Sequence, residues 1–125
     1  MSKVINSKNA PKAIGPYSQA VETKNLLFVS GQLPIDNKTG KFPSDDITEQ
    51  TYMSLNNIKF ILEEAGLSFK NVIKTTCYLS DISDFAKMNE VYSKFFEEPY
   101  PARVALAVKD LPKAAKIEIE VIAEK

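Results

Sequence analysis

Polar and apolar residues alternate along much of this chain, and two longer stretches carry a helical period instead. Ile117-Glu118-Ile119-Glu120-Val121 is the clearest alternation: Glu118 and Glu120 share one face of a strand and the aliphatics take the other. β-Branched and aromatic enrichment predicts strands at Lys3 to Asn6, Tyr17 to Thr23, Leu26 to Gln32, Val72 to Leu79, Ala102 to Val108 and Lys116 to Ala123. Lys24-Asn25 turns the second strand into the third, and Pro34 to Ser44 reads as an irregular connection. The first helix begins at Asp46, with Glu49 placed to complete a capping box. Thr51, Leu55, Ile58, Leu62 and Ala65 follow along one face, and Gly66 ends it. A second helix starts near Ser83 or Asp84, carries Phe85, Met88, Tyr92, Phe95 and Phe96 largely along one side, and ends before Pro99.

The order β-β-β-α-β-α-β-β predicts an α+β sandwich with both helices on one face of a mixed sheet. Nothing in the sequence divides residues 1–125, so one domain is expected. Two helices shield one side of such a sheet, and the last strands are apolar at most positions. A partner subunit is the expected cover for the other side.

Composition narrows the chemistry. Sixteen basic and sixteen acidic residues balance to zero, which argues against a nucleic-acid reader and against a polybasic membrane binder. The chain has no histidine and one cysteine, so neither an imidazole-activated nucleophile nor a thiolate zinc cage can be built. A carboxylate-only Mg²⁺ or Ca²⁺ site stays open, although the sequence shows no EF-hand-like spacing. Met1 to Asn9 lacks the apolar run of a secretion signal and no segment is long and apolar enough to span a bilayer, so a cytoplasmic location is expected. Cys77 reads as a small core residue.

Fifteen of the sixteen basic residues are lysine; the exception is Arg103, the only charge in Pro101-Ala102-Arg103-Val104-Ala105-Leu106-Ala107-Val108. Its head either reaches solvent or a structural carboxylate, or it serves as an anion site, for which a planar guanidinium fork is suited. Glu118 and Glu120 are either solvated charges on a half-exposed strand or, near Arg103 at a subunit interface, a group that positions a water. Ser30-Gly31 either marks a strand end or lets a ligand approach the backbone. Tyr17 and Asn89 carry no signal of their own.

Taken together, Pro101-Ala102-Arg103, Leu111-Pro112 and Ile117-Glu118-Ile119 resemble the C-terminal signature of the YjgF/RidA reactive-intermediate deaminase family. Ala13-Ile14-Gly15-Pro16-Tyr17-Ser18-Gln19, Ser30-Gly31-Gln32 and Phe85 to Tyr92 are similar to its other landmarks, in the same order. The resemblance runs essentially end to end and is nearest the RidA branch. It implies a chorismate-mutase-like fold, a homotrimer with sites between subunits, no cofactor, and hydrolysis of enamine and imine intermediates such as 2-aminoacrylate and 2-iminobutanoate to 2-oxo acids and ammonia. It also implies that Arg103 holds the substrate carboxylate and that Glu118, rather than Glu120, places the attacking water. Tyr17, Ser30, Gly31, Asn89 and Ala105 would line the pocket. Many relatives carry Ser-Cys where this chain has Val104-Ala105, so here any contact from position 105 would come from the backbone. A non-catalytic trimeric module that grips a small carboxylate is the alternative function.

Overall fold

The computed structural model describes residues 2–125. Strands β1 (Lys3–Ile5), β2 (Ala20–Glu22) and β3 (Leu26–Gln32) precede helix α1 (Ile47–Glu64). Strand β4 (Val72–Leu79), helix α2 (Phe85–Phe95), strand β5 (Ala102–Ala107) and strand β6 (Ile117–Glu124) follow. The strands form one six-stranded sheet in the order β1-β2-β3-β6-β4-β5. Only β4 and β5 run parallel, because α2 carries the chain back between them. The two helices and the mixed sheet are the predicted α+β arrangement.

One sheet face makes the core. Leu27, Val29, Cys77, Leu79, Ile117, Ile119, Val121 and Ala123 are buried there against Leu55, Ile58, Ile61 and Leu62 of α1 and Met88, Val91 and Tyr92 of α2. The side chains between them in sequence point the other way. Phe28, Thr76, Tyr78, Val104, Leu106, Glu118, Glu120 and Ile122 lie on a face that this chain leaves uncovered, where Phe28 is 43% exposed and Val104 45%. Among the described residues no helix is long and apolar enough to cross a membrane.

Several boundaries differ from the sequence reading. Strand β2 starts at Ala20, not Tyr17, because the Gln19 side chain turns inward. Its Oε1 accepts the Ser7 N–H at 2.7 Å and its Nε2 donates to the carbonyls of Ser7 and Pro11 at 3.1 and 2.9 Å. That holds residues 17–19 against the N-terminal loop. Asp46 caps α1 by accepting the Glu49 N–H at 3.1 Å, but the reciprocal half of the capping box is absent. The Asp46 N–H donates to Ser44 Oγ at 3.0 Å, and the Ser44 hydroxyl in turn donates to the Glu49 carboxylate. Gly66 ends the helix as expected, with φ +75°. Before α2 the cap is Asp81, whose carboxylate accepts the Ser83 N–H at the start of a 3₁₀ turn, so the α-helix itself begins at Phe85. It stops at Phe95; Phe96 is extended and buried, packing its ring on Tyr92.

Candidate active site

Arg103 sits on β5, the edge strand, opposite Thr75 of β4 and therefore on the helix-bearing face. Helical spacing puts Phe85, Asn89 and Tyr92 of α2 in one stripe beneath it. Asn89 Oδ1 accepts a hydrogen bond from Arg103 Nη1 at 2.6 Å. The guanidinium carbon stands 4.7 Å from the centre of the Tyr92 ring and 5.4 Å from that of Phe85. The Tyr92 hydroxyl is tied to Thr75 Oγ1 at 2.8 Å, so the platform under the arginine is itself fixed. Among the described residues no Asp or Glu comes within 4.0 Å of Arg103. Of the guanidinium's five N–H donors, this bond to Asn89 uses one. Ala105 is on the same face two residues on, half-buried opposite Cys77.

Glu118 lies elsewhere. Strand β3 bulges between Val29 and Gln32 against β6, and the bulge consists of Ser30 and Gly31. The Glu118 carboxylate packs onto Gly31: a Cβ added there would fall 2.2 Å from Oε2 and 2.9 Å from the carboxyl carbon. Ser30 is used locally, its Oγ donating to the Ser18 carbonyl at 2.6 Å and its N–H to the Gln19 carbonyl at 2.9 Å. These bonds pin the loop bearing Tyr17 beside the bulge. Tyr17, 53% exposed, and Gly31 border a cavity of about 130 Å³ with Ile14, Leu33 and Ile35.

The candidates thus fall into two groups. Arg103, Asn89 and Ala105 are at the β5 edge on the helix side; Tyr17, Ser30, Gly31 and Glu118 surround the β3 bulge. Strand β4 separates β5 from β6, and Glu118 faces the open side of the sheet. Within one chain Arg103 and Glu118 do not meet. A groove of about 720 Å³ beside Phe69, Phe95 and Phe96 is lined by none of the candidates.

Electrostatics separates the two carboxylates of β6. Burial, and secondly the neighbouring charge of Glu120, push the Glu118 carboxyl above the ordinary glutamate range. Glu120 accepts a hydrogen bond from the Tyr78 hydroxyl at 2.8 Å. Burial pushes the Cys77 thiol up to about 11 although Arg103 pulls the other way, which keeps it a protonated core side chain. Among the described residues no cluster of three or more Cys, Asp or Glu is arranged to hold a metal ion.

Three contributors were not singled out in the sequence. Phe85 and Tyr92 looked like core, although their spacing with Asn89 was the available signal. Gln19 gave none, because a buried amide is defined only by what it binds.

The family model described as Endoribonuclease L-PSP matches residues 7–125. A RutC family protein of Pyrococcus horikoshii is 58% identical over 125 residues, covering 100% of this chain and 99% of its own. The 2-iminobutanoate/2-iminopropanoate deaminase of Escherichia coli is 48% identical over 126 residues, covering 98% of each. Among solved structures, Escherichia coli TdcF with bound serine has a TM-score of 0.93 at 45% identity, covering 98% of each chain. With a family model and full-length relatives in agreement, and the arginine and the glutamate of the signature in place, the chain belongs to the YjgF/RidA/RutC family.

Proposed function

We propose that this protein is a hydrolytic deaminase of short 2-imino and 2-enamino acids, working as a homotrimer with each site shared by two subunits. The observation that carries the reading is Arg103: fixed by Asn89 and two aromatic rings, with no carboxylate partner among the described residues. A guanidinium held in place with donors to spare fits a ligand carboxylate, and such a contact is worth ~1.5–3 kcal/mol. The opposite placement of Arg103 and Glu118 then has a use. A second copy covering the open sheet face would bring its own edge strand toward the β3 bulge, completing a site that neither copy holds alone. The kinship with the Escherichia coli deaminase and with serine-bound TdcF supports a small amino-acid-derived ligand.

The chemistry asks little of the protein. A protonated imine is electrophilic at carbon, so the contribution required is placement of the carboxylate and of a water. Glu118 takes a proton from that water as oxygen bonds to the imine carbon. Glu118 passes that proton to the nitrogen, the C–N bond breaks as the new hydroxyl becomes the carbonyl, and the departing ammonia takes up the hydroxyl proton, so that a 2-oxo acid and ammonium result. A carboxyl held above the ordinary range, as Glu118 is, accepts a proton more readily than an ordinary glutamate and can then return it.

The test generates imine in situ from threonine or serine with a dehydratase and follows 2-oxo acid formation with and without the protein. Acceleration that Glu118→Gln abolishes while 2-oxobutanoate still binds supports the enzyme. Binding without acceleration by the unmodified protein would make it a carboxylate-binding module instead.

A further inference from the structure

Two carboxylates two residues apart on one strand face, one of them hydrogen-bonded by a tyrosine from the next strand, form an arrangement that the proposed reaction has not yet used. Tyr78 of β4 stands opposite Glu118 of β6 in the register, but its hydroxyl passes along the strand to Glu120 Oε1 at 2.8 Å. Glu118 meanwhile rests on Gly31. We infer that Tyr78 and Glu120 are positioning residues for Glu118: the phenol holds the Glu120 carboxylate in a fixed place beside Glu118, on the face where the attacking water would lie. The inference rests on the deaminase reading for its consequence, but the placement itself stands on this geometry.

The alternative arrangements are less favourable on physical grounds. A carboxylate that accepts a hydroxyl hydrogen bond is held in one orientation, whereas a neighbour without such a bond is free to turn toward a ligand. Tyr78 bonds Glu120, which leaves Glu118 as the member free to face the attacking water. The Tyr78 phenol itself is held above its ordinary range, chiefly by this hydrogen bond, and therefore remains a donor. The other charged groups that strand alternation places on this face are Lys116, before Glu118 on the same chain segment, Glu124 at the far end of β6, and Lys74, which borders a hollow with Thr76 and Glu120. Strand β3 contributes only the uncharged Ser30 and Gly31 at this point. Lys12, Tyr17 and Lys113 border the cavity at Gly31, and Tyr78 and Glu120 stand beside Glu118 across and along the sheet.

The experiment compares the unmodified protein with Tyr78→Phe, Glu120→Gln and the double variant. Carboxyl carbons labelled with ¹³C report the titration of Glu118 directly, and the pH dependence of kcat/KM for in situ imine reports its use. Each single variant should move the Glu118 titration and the acid limb of the rate profile to lower pH. Plateau kcat should fall about two- to fivefold, with less change in KM, as expected for a weaker base. Because the tyrosine acts through Glu120, the double variant should do no more than Glu120→Gln alone. A Glu118 titration unmoved in both variants overturns the inference and leaves the deaminase reading standing. A titration that moves without the rate profile overturns the positioning role. An unmodified protein that titrates as described but accelerates no imine hydrolysis overturns the deaminase reading, and with it the catalytic consequence drawn here.

Discussion

Lysine at position 103 would keep a positive charge and lose the planar fork, the stacking on Tyr92 and the geometry of the bond to Asn89. Both Arg103→Lys and Arg103→Ala should therefore reduce kcat/KM, by about 10- to 100-fold for alanine given ~1.5–3 kcal/mol for the contact. Fold stability should barely change, since the guanidinium is exposed at a sheet edge. Glu118 gives the opposite pattern. Its carboxyl is raised in the folded state, so the native protein holds that proton more tightly than the unfolded chain does. The favourable contribution is complete at low pH and is lost as pH rises through the folded pKa. Above the folded pKa the ionised, half-buried side chain is a cost. Glu118→Gln should then raise the melting temperature at pH 8 relative to pH 4 while abolishing turnover, and thermal scans at the two pH values check the sign.

Among the elements, the β3 bulge does most to shape the site, because it replaces a regular ladder pair with Ser30 and Gly31 and so opens the space that Glu118 enters. Gly31→Ala puts a methyl where the carboxylate lies, 2.2 Å from Oε2. The obstructing atom is the end of a flexible side chain, so Glu118 swings away and the stability loss should stay within about 1 kcal/mol, a modest value for a point substitution. Turnover should still fall at least about tenfold, since displacement of a reacting group by an ångström is that costly. Parallel urea unfolding and imine assays separate the two effects. The bulge also marks a boundary of what the sequence tells. Alternation in Ile117 to Val121 put Glu118 and Glu120 on one face, and the 3.6 period of α1 put Leu55, Ile58 and Leu62 in the core, because both follow from local geometry. Whether Glu118 approaches Gly31, and whether Tyr78 reaches Glu120 or Glu118, depends on register between strands distant in sequence. Tyr17 to Gln19 read as strand for the same reason: the bonds from Gln19 to Ser7 and Pro11 that draw it off the sheet are tertiary.

For the whole molecule the decisive fact is the strand order. With β4 between β5 and β6, and with Arg103 on the helix side and Glu118 on the open side, no side-chain rearrangement within one chain joins them. If each site takes Arg103 from one subunit and Glu118 from the next, two inactive variants should repair each other. Arg103→Ala retains a competent Glu118, and Glu118→Gln retains a competent Arg103. In a ring of three built from an equal mixture, every trimer containing both kinds of subunit has one junction where an intact Arg103 faces an intact Glu118. Two all-alike arrangements in eight have none, so about a quarter of the sites should be active under cyclic three-fold closure. Unfolding and refolding the variants together should therefore restore about a quarter of the unmodified activity, whereas mixing them without subunit exchange should restore none. A site confined to one chain predicts no recovery in either case, so the refolded mixture distinguishes the two architectures by activity alone.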